Sequence, residues 1–322
     1  LLVPNEAPND IRVFMNDTQG GYSGGFTTYV IPDGANPSPN DAGDFNRDGI
    51  LDVAVGNRMN EVVSVFSGLG GGQLDLDNYT ADQQVRAVCV LDSNGDGFMD
   101  IATTNTEGSS GAGNVSILMN DGTGKFGSPA IFTTPGDTGE AACAAADANG
   151  DGLLDLFVGT LGSNEILVLL GDGEGGLQLQ SRTLAGGSSW MLAAGDLNGD
   201  GQADVVSANS FTGNLSVLFG DGAGNLSQAV TYPPGGASFP LAVDLGDVDG
   251  DGDLDLMASN FPDDIFTLFE NDGAGNFINP RALRAPNIAS CAILHDRDND
   301  GDLDFTGIDE GDDLVLLYRN GP

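Results

Sequence analysis

The chain has 322 residues, of which 48 are acidic and 10 are basic, so its formal net charge is -38. Such a surface repels phosphate backbones and anionic lipids and attracts divalent cations, which disfavours nucleic-acid binding. No run of about 18 apolar residues occurs, so the sequence predicts no bilayer-spanning helix and no membrane insertion.

Three short apolar stretches hold the three cysteines, Cys89, Cys143 and Cys291. An odd number cannot pair completely within one chain. Because the neighbouring residues are apolar, we expect all three to be buried free thiols that pack as small hydrophobic side chains.

The predicted elements follow a repeating order. The chain begins with "LLVPN" and "DIRVF", which align with the second and third strands of later units, and residues 26–31 form the fourth strand. Each later unit has a small-residue apolar run, an acidic loop, a second run such as "DLFVGT", a third such as "EILVLLG", a glycine turn such as "NDGTGKF", and a fourth run. These short runs, bounded by Gly, Asn and Asp, predict strands joined by hairpin turns. The last unit ends after "DFTGID" and "DLVLLYRNG", its second and third strands.

The acidic loop occurs six times, beginning at Asp44, Asp92, Asp147, Asp196, Asp247 and Asp296. A period near 50 residues with four strands per unit is typical of a β-propeller. We therefore predict an all-β fold of four-stranded antiparallel blades in a single domain, 1–322, with incomplete first and last repeats. Six loop-bearing units and one leading unit make seven blades; six blades with a strand overlap is the alternative.

Each loop has the pattern D-x-[DN]-x-D-G-x-x-D, which suits Ca²⁺, because calcium prefers six to eight oxygen ligands from a flexible turn. Positions 1, 3, 5 and 9 offer side-chain oxygens, and position 7, which varies in residue type, offers its carbonyl. Position 12 holds no acid, which excludes an EF-hand loop. We expect about six structural calcium ions, bound more tightly by the last two loops because Asp249 and Asp298 replace Asn there.

The predicted ligands are Asp44, Asn46, Asp48, Ile50 and Asp52; Asp92, Asn94, Asp96, Phe98 and Asp100; Asp147, Asn149, Asp151, Leu153 and Asp155; Asp196, Asn198, Asp200, Gln202 and Asp204; Asp247, Asp249, Asp251, Asp253 and Asp255; and Asp296, Asp298, Asp300, Asp302 and Asp304.

Together the six loops, the strands that follow them and the "NDGxGxF" turns resemble the FG-GAP/VCBS repeat family, which also forms the propeller head of integrin α subunits. The resemblance covers essentially the whole chain. It implies calcium bound between the first and second strands of each blade. It also implies an extracellular or cell-surface protein that serves in adhesion, in glycan binding or as an appendage to enzymes.

The ligand surface is expected at the other end of the blades, where the second-to-third and blade-to-blade loops lie. A loop insertion around Glu107 is its most irregular feature, and for Trp190 packing between blades is the preferred interpretation. The candidate residues are Arg58, Arg86, Glu107, Glu140, Trp190, Phe211, Phe239 and Phe261.

No catalytic constellation can be assembled, since the only histidine, His295, is expected to pack or hydrogen-bond. The leading hypothesis is therefore a binding or adhesion module for a protein or glycan ligand. A propeller polysaccharide lyase or hydrolase is one alternative. A structural subunit that self-associates through strands of the incomplete terminal blades is the other.

Overall fold

The computed structural model describes residues 1–322 apart from 18–19, 33–35, 107–112, 135, 137–138, 236–238, 262 and 322. The described residues form 26 β-strands and no helix. The strands assemble into seven sheets of three or four strands, the blades of a β-propeller. This confirms the predicted all-β propeller with seven blades. Within the described part of the chain, no helix is long and apolar enough to cross a bilayer.

Internal contacts divide the chain into two compact units, and the prediction of a single domain stays a prediction. The first unit comprises Leu1–Ala145, Gly152–Val158 and Leu169–Leu179. Its blade 1 contains β1 (Leu2–Asn5), β2 (Asp10–Phe14) and β3 (Phe26–Val30), which confirms the strand predicted over residues 26–31. Blade 2 contains β4 (Pro37–Gly43), β5 (Asp52–Asn57), β6 (Val62–Gly70) and β7 (Gln73–Thr80). Blade 3 contains β8 (Gln84–Leu91), β9 (Asp100–Thr106), β10 (Gly113–Leu118) and β11 (Ala130–Thr133).

The second unit comprises Ala146–Asp151, Gly159–Val168 and Gln180–Pro322. Blade 4 is divided between the units and contains β12 (Glu140–Ala146), β13 (Asp155–Thr160), β14 (Glu165–Gly171) and β15 (Leu177–Leu184). Blade 5 contains β16 (Ser189–Gly195), β17 (Asp204–Asn209), β18 (Asn214–Leu218) and β19 (Val230–Tyr232). Blade 6 contains β20 (Pro240–Gly246), β21 (Asp255–Asn260), β22 (Ile265–Asn271) and β23 (Phe277–Arg284). Blade 7 contains β24 (Ala289–His295), β25 (Asp304–Asp309) and β26 (Leu314–Tyr318).

Burial differs systematically among the strands of a blade. Every residue of β5, β9, β17 and β21 is buried, because these second strands have neighbouring strands on both sides and packed residues on both faces. The fourth strand β15 alternates between partly buried and exposed residues. This explains why second strands read as continuous apolar or small runs, whereas fourth strands carry polar residues at every other position.

One position in the first strand, three residues before the acidic loop, links neighbouring blades. In blade 2 it holds Asp41, whose carboxylate accepts a 2.8 Å hydrogen bond from the backbone N–H of Val90 in β8. In blade 6 it holds Asp244, which accepts a 2.8 Å bond from the N–H of Leu294 in β24. These carboxylates satisfy N–H groups on the edge strand of the next sheet, which has no further strand to pair with them.

In blade 3 the same position holds Cys89, which forms a disulfide with Cys143 of β12. The prediction that all three cysteines are free thiols was therefore wrong for this pair. Their separation of 54 residues, about one repeat, places them on adjacent first strands, a relationship that their apolar flanks do not reveal. Cys291 is free and partly exposed, and the burial of its thiol raises the thiol pKa to about 11.

Candidate metal loops and candidate ligand surface

The six acidic loops lie between the first and second strands of blades 2 to 7, where the repeat predicts them. In each loop the backbone is left-handed at position 4 and again at position 6. The φ angles are 57° at Arg47 and 83° at Gly49 in the first loop, and 58° at Asn299 and 96° at Gly301 in the sixth. Position 6 is always glycine, because a side chain at such a φ angle is strained.

Local hydrogen bonds turn the acidic side chains into the curl. In the first loop Asp44 accepts the N–H groups of Asp48 and Gly49 at 3.1 and 2.9 Å. Asn46 accepts the N–H of Asp48 at 2.9 Å, and Asp48 accepts that of Ile50 at 2.8 Å. The oxygens at positions 1, 3 and 5 are thereby directed inward, as the predicted ligand pattern requires. Each oxygen has a second lone pair for a cation.

The acid at position 9 has a further structural role. Asp204 is fully buried and accepts the N–H of Leu197 at position 2 and the N–H of Gly220, just after the third strand, at 3.0 and 2.8 Å. Burial raises the pKa of Asp204, the two N–H donors lower it, and Asp200 and Asp196 raise it further. This aspartate thus ties the loop to the third strand of its own blade.

In three of the loops, position 2 also connects the loop to the following blade. Asn271, in the glycine turn of blade 6, donates from Nδ2 to the carbonyl of Leu197 in the blade 5 loop at 2.8 Å. Asn120 donates in the same way to Phe45 at 2.8 Å, and Asn320 donates to Val248 at 2.7 Å. A loop that changes shape would therefore disturb the neighbouring blade.

The donor set fits a hard divalent cation. The carboxylate oxygens of Asp247, Asp249 and Asp255 lie within 4.8 Å of one another, and those of Asp296, Asp298 and Asp300 do the same. Oδ1 of Asp92 and Oδ1 of Asp298 are buried and have no hydrogen-bond partner among the residues that the structure describes. A buried anionic oxygen without a donor is costly, and a bound cation would remove that cost.

On the candidate ligand surface, four of the predicted residues form one aromatic cluster, defined as Trp190, Phe211, Phe239 and Phe261. Ring centroids lie 6.0 Å apart for Trp190 and Phe211, 6.1 Å for Trp190 and Phe239, 5.6 Å for Phe211 and Phe239, and 6.3 Å for Phe239 and Phe261. Phe211 is 66 % exposed, and the other three rings are partly exposed. Trp190 thus packs between blades, as preferred, and also contributes to an accessible aromatic surface.

The cluster is assembled by blades 5 and 6. Trp190 lies in β16 and Phe211 in the turn after β17, while Phe239 precedes β20 and Phe261 follows β21. The N–H of Phe261 donates to the carbonyl of Phe239 at 2.9 Å, which fixes the two segments side by side. These segments lie at the end of the second strand opposite to the acidic loops, because the loops precede β17 and β21 and the aromatic turns follow them.

The structure also brings Arg58 and Arg86 near each other at the corresponding end of blades 2 and 3. Arg58 Nη1 lies 2.7 Å from Oε1 of Glu6. Burial lowers the pKa of Arg86, and the positive charge of Arg58 lowers it further. Two of the few cations of the chain are thus partly buried at one place, and Glu6 pairs with one of them.

The remaining candidates lie elsewhere. Glu140 is fully buried at the start of β12 and accepts a hydrogen bond from Thr134, which removes it from the accessible surface. Glu107 and its insertion lie outside the described residues. Nε2 of His295 lies 2.9 Å from Oγ1 of Thr306, which confirms that this histidine is a hydrogen-bonding residue.

Sequence reasoning missed two sets of residues. The first is the turn asparagine, for which the "ND" preceding the turn glycine is a visible signal. The second is the buried asparagine that ends a second strand, such as Asn57, whose Nδ2 donates to the carbonyl of Val62 at 2.9 Å. Its signal is the recurring Asn at the end of "DVAVGN", "DVVSAN" and "DLMASN".

Four overlapping segments match the FG-GAP-like repeat, at residues 44–103, 92–158, 147–207 and 196–258. Together these matches run over more than half of the chain. No curated protein matches the chain significantly in sequence.

Several solved structures share the fold. The Pseudomonas aeruginosa periplasmic gluconolactonase PpgL aligns with a TM-score of 0.66 and 17 % identity over 99 % of this chain and 94 % of its own. An Agrocybe aegerita lectin that recognises non-reducing terminal N-acetylglucosamine aligns with a TM-score of 0.52 and 18 % identity over 88 % and 79 %. BBS1N, solved in complex with ARL6DN, aligns with a TM-score of 0.53 and 16 % identity over 96 % and 98 %. At such identities the likeness shows the fold alone.

Proposed function

The chain belongs to the FG-GAP-like repeat family, and we propose that it is a calcium-stabilised extracellular binding module whose aromatic cluster takes up a glycan. The six loops would hold calcium through the side chains at positions 1, 3, 5 and 9 and the carbonyl at position 7. When bound, the ion would neutralise the clustered carboxylates and stiffen the loops. Its role would be structural, because all six loops share it and the aromatic cluster lies at the other end of the strands.

The observation that carries the binding role is the aromatic cluster itself. Exposed aromatic rings that touch edge to face present an apolar patch to solvent. Exposed apolar patches often mark ligand-binding sites. The C–H faces of a pyranose ring can stack on this surface. The high negative charge of the chain favours a neutral sugar over an anionic one. A lectin with this fold shows that a propeller can carry a saccharide site.

The Cys89–Cys143 disulfide supports the proposed location, because disulfides persist in oxidising compartments outside the cytosol. The net charge of -38 supports it as well, since a calcium-rich exterior would screen such a surface.

A glycan array probed in calcium tests the binding role, followed by titration of the best glycan with Trp190→Ala and Phe211→Ala. Each variant should weaken binding about tenfold or more, as expected when one stacked ring is removed. Phe26→Ala is the matched control, because Phe26 is a 51 % exposed ring in β3, outside the cluster. Equal affinity of the wild type and both cluster variants would contradict the proposed site.

A protein ligand is the alternative occupant of the same cluster. If no glycan binds, a protein partner pulled down by the wild type and lost with Phe211→Ala would assign the cluster to protein recognition. The complex of BBS1N with ARL6DN shows that a chain of this fold can engage a protein.

Hydrolysis is the second candidate function, because structures named as a gluconolactonase and a putative 6-phosphogluconolactonase share the fold with TM-scores of 0.66 and 0.64. A panel of sugar lactones and polysaccharides tests it. Turnover that survives Trp190→Ala and Phe211→Ala would place a catalytic site outside the aromatic cluster. The absence of turnover on the whole panel would count against this candidate.

A further inference from the structure

The sixth loop differs from the others because arginine side chains form ion pairs with its carboxylates; Arg47 of the first loop contacts the carbonyl of Gly97 and the ring of Phe98 instead. Nε of Arg319 lies 2.9 Å from Oδ2 of Asp298, and its Nη2 lies 3.1 Å from Oδ2 of Asp300. These aspartates occupy positions 3 and 5 of the loop, where a calcium ion would take its ligands. One guanidinium therefore bridges two of the expected calcium ligands.

The position of Arg319 follows from the blade. It lies directly after β26, next to Asn320, whose N–H donates to the position 9 acid Asp304 at 2.9 Å. The other loop-bearing blades have an equivalent N–H donor to their own position 9 acid. The residues that precede those donors are Ser67, Met119, Leu170, Phe219 and Glu270, none of which is positively charged.

A second arginine adds to the difference. Arg297 at position 2 has a side chain only 5 % exposed, and its Nη2 lies 3.4 Å from Oδ2 of Asp304. Position 2 in the other loops holds the uncharged residues Phe45, Ser93, Ala148, Leu197 and Val248. Arg297 offsets the charge of the position 9 acid from inside the protein.

The sixth loop nevertheless keeps the form of a cation site. Carboxylate oxygens of Asp296, Asp298 and Asp300 lie within 4.8 Å of one another. The Asp298 side chain is 7 % exposed, and its Oδ1 is buried without a hydrogen-bond partner among the described residues. Arg319 contacts only the other oxygen of Asp298, so a place for a cation remains beside it.

We propose that Arg319 is a built-in competitor for the metal of the sixth loop, which makes this loop the weakest calcium site of the six. The proposal rests on the proposed calcium binding. Calcium would take its ligands from the same two carboxylates that the guanidinium bridges, Asp298 and Asp300, so Arg319 and the ion compete for their negative charge. The additional aspartate at position 3, expected to tighten this loop, is instead used by the arginine. The fifth loop, whose position 3 residue is Asp249, keeps its expected high affinity.

Calcium titration calorimetry on the metal-free full chain tests the proposal. The wild type should show a weak class of one site besides the tighter class. Arg319→Met, which installs the residue found at the equivalent place in blade 3, should strengthen the weak site about three- to tenfold. Arg319→Lys should lie between the two, because one ammonium group cannot bridge two carboxylates as a guanidinium does. Adding Asp298→Asn to Arg319→Met should remove only part of the gain, because Asn is the residue at position 3 of the first four loops.

Lys125→Met is the matched control. Lys125 forms an ion pair with Asp77, outside the loops, so this variant removes the same charge without touching the sixth loop. It should leave the weak site unchanged. An Arg319→Met isotherm equal to that of the wild type, in a protein that does take up calcium, would overturn the role of Arg319 alone. A wild type that takes up no calcium would instead overturn the calcium part of the proposed function.

Discussion

Asn271 donates a 2.8 Å hydrogen bond from Nδ2 to the carbonyl of Leu197, which lies 74 residues earlier in the chain. The same amide group donates to the carbonyl of Leu254, and its oxygen accepts the N–H groups of Gly273 and Gly275. A single buried side chain thus joins the acidic loop of one blade, the acidic loop of the next and the glycine turn. The loops are therefore connected to blade packing as well as to any ion they hold.

The Asn271→Ala variant should unfold about 2–3 kcal/mol more easily than the wild type, because four backbone groups lose their partner in a buried place. Urea unfolding followed by fluorescence measures the difference. Asn276→Ala is the control: Asn276 lies in the same turn but is exposed and hydrogen-bonds only locally to Asp272. It should cost less than about 1 kcal/mol. Equal costs for the two variants would show that the link between blades contributes nothing.

Removal of calcium should lower the melting temperature. Any ion that binds only the folded chain stabilises it by about 2.7 kcal/mol per site at a concentration 100 times its Kd. Differential scanning fluorimetry in chelator, in Ca²⁺ and in Mg²⁺ measures the effect, and Mg²⁺ should restore less of the loss. A melting temperature that is the same in chelator and in Ca²⁺ would refute structural calcium.

Asp251→Asn separates the ion from the fold. Asp251 lies at position 5 of the fifth loop, so the variant should bind one calcium fewer and melt earlier than the wild type in Ca²⁺. In chelator the difference should largely disappear, because Asn can still accept the N–H of Asp253 that Asp251 accepts at 3.0 Å. Asp249→Asn is the milder control, since Asn is the natural residue at position 3 of the first four loops.

Loss of the disulfide should destabilise the chain by about 4 kcal/mol, the entropic effect of opening a loop of 54 residues. Cys143→Ser and reduction of the wild type should have similar effects, and reduction should not affect Cys143→Ser further.

Cys291 provides an internal reference. Because burial raises its thiol pKa to about 11, it should resist alkylation near neutral pH until the protein unfolds. Two or more reactive thiols in the native, unreduced protein would contradict the pairing.

Asp244→Asn tests the buried carboxylate between blades 6 and 7. Burial raises the pKa of Asp244 above its ordinary 3.8, although the N–H groups of Leu294 and Leu245 lower it. A group with a raised pKa contributes stability that is fully present below the unfolded pKa and is lost as the pH rises through the folded pKa. Asn keeps the acceptor for Leu294 without the charge. The variant should therefore equal or exceed the wild type in stability at about pH 7, and the advantage should vanish towards about pH 4.

Asp244→Ala is the control, because it removes both the charge and the acceptor. It leaves the Leu294 N–H without its partner and should cost about 1–3 kcal/mol at either pH. An Asn variant as unstable as the Ala variant near neutral pH would mean that the ionised form of Asp244 is required.

The acidic loops could be predicted almost completely from the sequence. The hydrogen bonds that curl them, such as that from the N–H of Ile50 to Asp48, join residues two to five apart, so the nine-residue motif contains these partners. The bonds from Gly220 to Asp204 and from Asn271 to Leu197 reach outside the motif and were not predicted. The strands were equally predictable, because alternation and turn glycines are local signals that recur in each unit. The blade count followed from repetition, since each unit must cover the apolar faces of its neighbours.

Only the tertiary structure decided which residues meet when they lie a repeat or more apart in the chain, or at different positions within their repeats. Trp190 and Phe239 occupy different places in their repeats, so aligning the repeats separates rings that the fold brings within 6.1 Å. Cys89 and Cys143, and Arg319 with Asp298, meet because adjacent strands lie side by side whatever their separation along the chain. The sequence alone therefore determined the strands and the loops, whose interactions are local. The fold decided which aromatic, thiol and charged side chains meet, because those interactions depend on how the blades and strands pack.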